Sequence, residues 1–69
     1  MKISARNVLK ARVKDVVLGS VNAEVVLELP GGVAVTAMIT KDSAERLGLA
    51  KGKEAYAVIK ASDVMVAVD

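Results

Sequence analysis

Val21-Asn22-Ala23-Glu24-Val25-Val26-Leu27-Glu28-Leu29-Pro30-Gly31-Gly32-Val33-Ala34-Val35-Thr36-Ala37-Met38-Ile39 is the stretch that decides the fold. Val21, Ala23, Val25, Leu27 and Leu29 alternate with Asn22, Glu24, Val26 and Glu28, the period of two that marks a strand with one buried face. Pro30-Gly31-Gly32 cannot extend that pattern, since proline lacks an N–H and the two glycines have no side chain to pack, so it predicts a hairpin turn. Beyond the turn, Val33, Val35, Ala37 and Ile39 oppose Ala34, Thr36 and Met38. The second face of this strand is only weakly polar, which suits an interface.

Working outward, Asn7 to Val17 forms a further strand, with Leu9, Ala11, Val13 and Val17 on one face and Val8, Lys10, Arg12 and Lys14 on the other, and Gly19-Ser20 breaks it. After the hairpin, Thr40-Lys41-Asp42-Ser43 predicts a helix start. Thr40 is the N-cap, Asp42 lies in the first turn, and Gly48 is placed to end the helix about two turns later. Lys51-Gly52-Lys53 turns the chain into a fourth strand, Glu54 to Lys60. Ala61-Ser62-Asp63 interrupts it, and Val64, Val66 and Val68 restart the alternation as a fifth strand. Five strands with one short helix between the third and fourth predict an all-β, OB-like Greek-key barrel, the oligonucleotide/oligosaccharide-binding type, as a single domain over residues 1–69.

Composition narrows the chemistry. Of 69 residues, 54% are hydrophobic, yet Tyr56 is the one aromatic. A chain this short buries only about 60% of its unfolded surface, so the excess of Val, Ala, Leu and Ile predicts that apolar faces are covered by further copies of the chain. The absence of His and Cys removes imidazole bases, thiol nucleophiles, zinc-type ligand sets and disulfides. Lys51-Gly52-Lys53-Glu54 lacks the glycine spacing and hydroxyl of a phosphate-binding loop, and Asp15, Asp42 and Glu45 form no evident acid–base pair. Binding is favoured over catalysis. No stretch approaches the roughly 20 apolar residues of a membrane span, and Met1-Lys2-Ile3-Ser4 runs directly into a strand pattern, so a cytoplasmic protein is expected. The net charge of +2 is scattered rather than clustered, and nucleic-acid binding lacks the aromatic platforms that stack on bases.

Two blocks carry the functional signal: Ser4-Ala5-Arg6-Asn7 at the start of the first strand and Lys60-Ala61-Ser62 at the end of the fourth. Arg6 and Lys60 supply two positive charges, while Ser4, Ser62 and backbone N–H groups supply neutral donors, a set suited to a small dianion that has only acceptor oxygens. A donor-only pocket selects by protonation. Phosphate often carries a proton at neutral pH and then needs an acceptor facing it, whereas a tetrahedral dianion that is fully deprotonated, such as sulfate, needs none. Ser43 at the third helical position either bonds back to Thr40 or presents its hydroxyl and N–H to an anion at the helix N-terminus, where the backbone dipole favours negative charge.

Together with Val21-Asn22-Ala23-Glu24-Val25, Ile39-Thr40 with Ser43, Leu47-Gly48-Leu49 and Ala57-Val58-Ile59-Lys60-Ala61-Ser62-Asp63-Val64, these blocks resemble the Mop domain of the TOBE-type molybdate-binding proteins. The free-standing members of that family are the molbindins. The resemblance spans nearly the whole chain. Ala11 stands where many members have glycine. The resemblance implies a tetrahedral oxyanion, molybdate or tungstate, bound without an organic cofactor between subunits. Ser4, Ala5 and Arg6 come from one subunit, with Thr40, Ser43, Lys60, Ala61 and Ser62 from its partner, the alanines acting through backbone N–H. It also implies a homo-hexamer built as a trimer of dimers, serving as an intracellular store or buffer of the oxyanion. The turn Gly19-Ser20-Val21-Asn22 is a candidate for a second type of site near a threefold axis.

Each of these residues also has a plain structural reading. Arg6 and Lys60 suit solvated strand ends, Thr40 suits a helix cap, Asn7, Asn22 and Asp63 suit ties between turns and strands, and Tyr56 suits packing. A purely structural oligomerisation module without bound anion is the alternative reading of the same assembly.

Overall fold

Gly31 and Gly32 hold φ angles of 91° and 89°, a region that costs a residue with a Cβ far more than it costs glycine. The turn they form is closed by the Leu29 N–H donating to the Val33 carbonyl at 2.7 Å and the Gly32 N–H donating to the Leu29 carbonyl at 3.0 Å. In the computed structural model, which describes residues 1–69, this turn joins β2 (Asn22–Glu28) to β3 (Ala34–Thr40). β1 (Asn7–Leu18) precedes them; α1 (Lys41–Arg46), β4 (Glu54–Ile59) and a single 3-10 turn at Ala61–Asp63 follow. The strands form one antiparallel sheet in the order β3-β2-β1-β4.

β1 is long enough to serve two neighbours. Its first half, Asn7 to Arg12, pairs with β4, and its second half, Arg12 to Leu18, pairs with β2. Ala11, Val13, Val25, Leu27 and Ala57 form the buried core, with Val16, Leu29, Ala37, Ile39, Leu49 and Ala55 packed on it. Ala11, 6% exposed and paired with Ala55, lies inside this core. α1 closes one side through buried Ala44. Only 7 of 69 residues are buried, a core too small to hold much of the chain's apolar surface.

The first strand departs from simple alternation. The register runs Val13 to Leu27 and then Asp15 to Val26, so Lys14 is an extra residue in a β-bulge. A bulge shifts the side-chain period by one. Val16, opposite Val25, therefore packs on the core, and Val17, expected to point inward, is 57% exposed. The Asp15 carboxylate accepts the Val16 N–H at 2.9 Å, holding the backbone within the irregularity.

The sheet has four strands and not the expected five. Val64 is extended, with φ −92° and ψ 123°, but residues 64–69 join no ladder. Met65, Val66 and Val68 are each at least nine-tenths exposed. Alternation confers strand propensity, whereas a ladder also requires a paired edge, and after the 3-10 turn the segment pairs with neither edge of the chain's own sheet. β3 and β4 are consequently two free edges, and the curled sheet stays open between them.

Candidate oxyanion-binding site

Strand register, not sequence proximity, assembles the site. Asn7 pairs with Ile59, so the residues before β1 and those after β4 emerge at one end of the sheet. The Asn7 side-chain amide donates to the Ile59 carbonyl at 3.2 Å and ties the two strand ends together. Ser4, Ala5 and Arg6 on one side and Lys60, Ala61 and Ser62 on the other are thus neighbours within a single chain.

The 3-10 turn arranges the second block. The Asp63 N–H donates to the Lys60 carbonyl at 2.9 Å and the Val64 N–H to the Ala61 carbonyl at 3.3 Å. The Ala61 and Ser62 N–H groups, ahead of those bonds, carry no hydrogen bond within the chain, and neither do those of Ser4, Ala5 and Arg6. An unpaired N–H at the start of a helical turn is the usual donor to an anion. Arg6 and Lys60 take part in no ion pair, whereas Lys10 pairs with Glu54 at 3.7 Å and Arg46 with Asp42 at 3.1 Å. Apart from half-buried Ala5, Ser4, Arg6, Lys60, Ala61 and Ser62 are exposed.

Thr40 and Ser43 stand elsewhere. Thr40 pairs with Asn22 beside the far end of β1, a strand whose 12 residues trace on the order of 35 Å of backbone. Thr40 caps α1: its Oγ1 accepts the Ser43 N–H at 3.0 Å and donates to the Ser43 Oγ at 2.8 Å. Arg46 donates to that same Ser43 Oγ at 3.2 Å. The Thr40 hydroxyl proton is committed, while Ser43 accepts twice and keeps its own proton to give. One chain therefore divides the eight candidates into a cluster of six at one end of β1 and a pair at the other.

The Asn7–Ile59 hydrogen bond is the strand tie expected of the Asn7 amide, whereas alternation did not reveal the bulge. An aspartate in mid-strand, a residue depleted from strands, was the available signal for the bulge. At the turn Gly19 to Asn22, the Gly19 N–H is spent on the Asn22 carbonyl at 2.7 Å.

The TOBE domain family matches residues 3–66. Molybdenum-pterin-binding protein 3 of Clostridium pasteurianum is 56% identical over 66 residues, which are 96% of this chain and 97% of that protein. MopII from Clostridium pasteurianum, solved in an apo form, superposes with a TM-score of 0.92 at 49% identity, covering 97% of this chain and all of that one. ModG, described as a cytoplasmic molybdate-binding protein and solved with molybdate bound, superposes with a TM-score of 0.90 at 51% identity, covering 94% of this chain and 46% of that one.

Proposed function

The chain belongs to the TOBE-domain family as a molbindin-type member, and from that membership we propose that it binds molybdate or tungstate as the intact oxyanion between subunits of a homo-oligomer. Ser4, Ala5 and Arg6 act from one protomer, with Thr40, Ser43, Lys60, Ala61 and Ser62 completing the shell. The chain works without an organic cofactor and without catalysis, as a cytoplasmic store or buffer. Its assembly is a hexamer arranged as a trimer of dimers.

The observation that carries this reading is the register that joins Asn7 to Ile59 and clusters unpaired N–H groups, two hydroxyls and the unpaired charges of Arg6 and Lys60. Those groups match a dianion in charge and in hydrogen-bond sense, since every one of them donates. The relative's name couples molybdenum to a pterin. A flat heterocycle is held chiefly by stacking, and Tyr56, on β4 and 53% exposed, is the only aromatic ring available. The inorganic ion fits this chain better.

Titration calorimetry with molybdate, tungstate, sulfate and phosphate tests the proposal on one preparation. Heat from molybdate and tungstate that disappears in Arg6→Ala and Lys60→Ala supports it. An assembled protein that gives no heat with either ion returns the chain to the structural-module reading.

A further inference from the structure

We infer that Arg46 is a positioning residue of the proposed anion site, whose guanidinium compels the Ser43 hydroxyl to act as a donor and so makes Ser43 reject oxyanions that carry a proton. The inference rests on the reading of Ser43 as an anion ligand and gives that ligand a role in selectivity. Two donors converge on one oxygen. The Thr40 Oγ1 donates to the Ser43 Oγ at 2.8 Å, and the Arg46 Nη2 donates to it at 3.2 Å. A serine hydroxyl has two acceptor lone pairs and one proton. Both lone pairs are thereby occupied, and the O–H is what Ser43 has left for a ligand.

The guanidinium is itself anchored. Its Nε donates to the Asp42 Oδ2 at 3.1 Å, so the planar fork of Arg46 spans Asp42 and Ser43 together. Fold stability gives little account of this arrangement, because the Arg46 and Asp42 side chains are 69% and 83% exposed, a setting in which an ion pair contributes little. Thr40 already caps the helix through the Ser43 N–H. The consequence lies in ligand chemistry. With Thr40 as its only donor, Ser43 would keep one lone pair open, and the P–OH of hydrogen phosphate could donate to it. With Arg46 in place that P–OH meets no open acceptor, and a donor left facing a donor is costly. An anion whose oxygens are all bare meets no such penalty.

Titration calorimetry with molybdate, alone and against inorganic phosphate or sulfate as competitor, reads the ratio of affinities. In Arg46→Met the phosphate-to-molybdate ratio is expected to rise by about tenfold, the weight of one hydrogen bond. The sulfate-to-molybdate ratio should stay as in the wild type, since sulfate carries no proton. Asp42→Ala/Arg46→Met, which restores the net charge, should keep the altered phosphate ratio. An ion pair this exposed contributes little, so these variants are expected to melt with the wild type. A rise for sulfate equal to that for phosphate, or an equal loss of affinity for all three anions, overturns the role assigned to Arg46. Ser43→Ala separates the inference from the reading it rests on. Weaker molybdate binding in Ser43→Ala, with an unchanged phosphate ratio in Arg46→Met, overturns the role of Arg46 and leaves Ser43 a ligand. Molybdate binding unchanged in Ser43→Ala removes both residues from the site.

Discussion

The Asn7 side-chain amide donates to the Ile59 carbonyl across 3.2 Å, and this bond joins the first residue of β1 to the last of β4. Both candidate anion-binding blocks begin one residue beyond it. Asn7 is not among the proposed ligands; its bond holds together the two strand ends from which Arg6 and Lys60 emerge. Loss of one such bond costs about 1 kcal/mol, which for a domain of this size lowers the melting temperature by roughly 4–8 °C. Asn7→Ala is therefore expected to melt earlier and to bind molybdate several-fold more weakly. Asn7→Asp, which cannot donate, should behave no better. Wild-type melting and affinity in both variants would show the tie to be incidental.

Arg6 and Lys60 lack carboxylate partners, so neither contributes an ion pair to the folded chain. Removing either charge should leave the melting temperature without anion unchanged or slightly higher, because two like charges no longer share one end of the sheet. With molybdate present the sign reverses. The wild type gains stability as ligand is added, roughly 2.7 kcal/mol at a hundredfold excess over Kd, and Arg6→Ala and Lys60→Ala should lose most of that gain. Thermal melts with and without molybdate measure it, and equal upward shifts in wild type and variants would remove both residues from the site.

The strands around the hairpin were legible because one face of β2 is buried and a turn with two glycines admits few geometries. The first strand was legible only as far as Val13. Beyond it, one inserted residue moved Val17 out and Val16 in, and a local alternation rule cannot detect an insertion that the partner strand lacks. The fifth strand failed for a different reason. Val64 to Val68 has the correct pattern, but pairing depends on which edge the preceding turn presents. The candidate site divides similarly. Residue types pointed to a donor-only cluster, while its partition into six residues and two followed from register, which no single segment contains.

At the end of α1, Gly48 has φ +62°, and the Lys53 Nζ donates to the carbonyls of Leu47 at 2.7 Å and Gly48 at 3.2 Å. Lysine here satisfies carbonyls that the helix leaves without partners. A Cβ at position 48 would lie 3.2 Å from that Nζ, so Gly48→Ala adds crowding to the cost of a left-handed backbone, about 1 kcal/mol or more. Lys53→Met should cost about as much by freeing both carbonyls. Because the two changes act on one contact, the double variant is expected to lose less than the sum of the singles. Denaturant titration of all four proteins measures the coupling, and strict additivity would show that the ammonium does not cap the helix.

Thr40 and Ser43 share hydrogen bonds yet have different protons to offer, and that difference separates capping from anion binding. The Thr40 hydroxyl proton is given to Ser43, and its oxygen accepts the Ser43 N–H, so Thr40→Ala removes a cap worth about 1 kcal/mol while Thr40→Ser retains it. Ser43 accepts from Thr40 and from Arg46, leaving its own O–H as the one uncommitted hydroxyl proton of the pair. Ser43→Ala should accordingly weaken molybdate binding by more than it lowers the melting temperature, whereas Thr40→Ala should do the reverse. Calorimetry and thermal melts on the three variants form the comparison. Should Ser43→Ala bind molybdate as the wild type does, the far end of β1 takes no part in the site, and the ion is held by the six residues around Arg6 and Lys60.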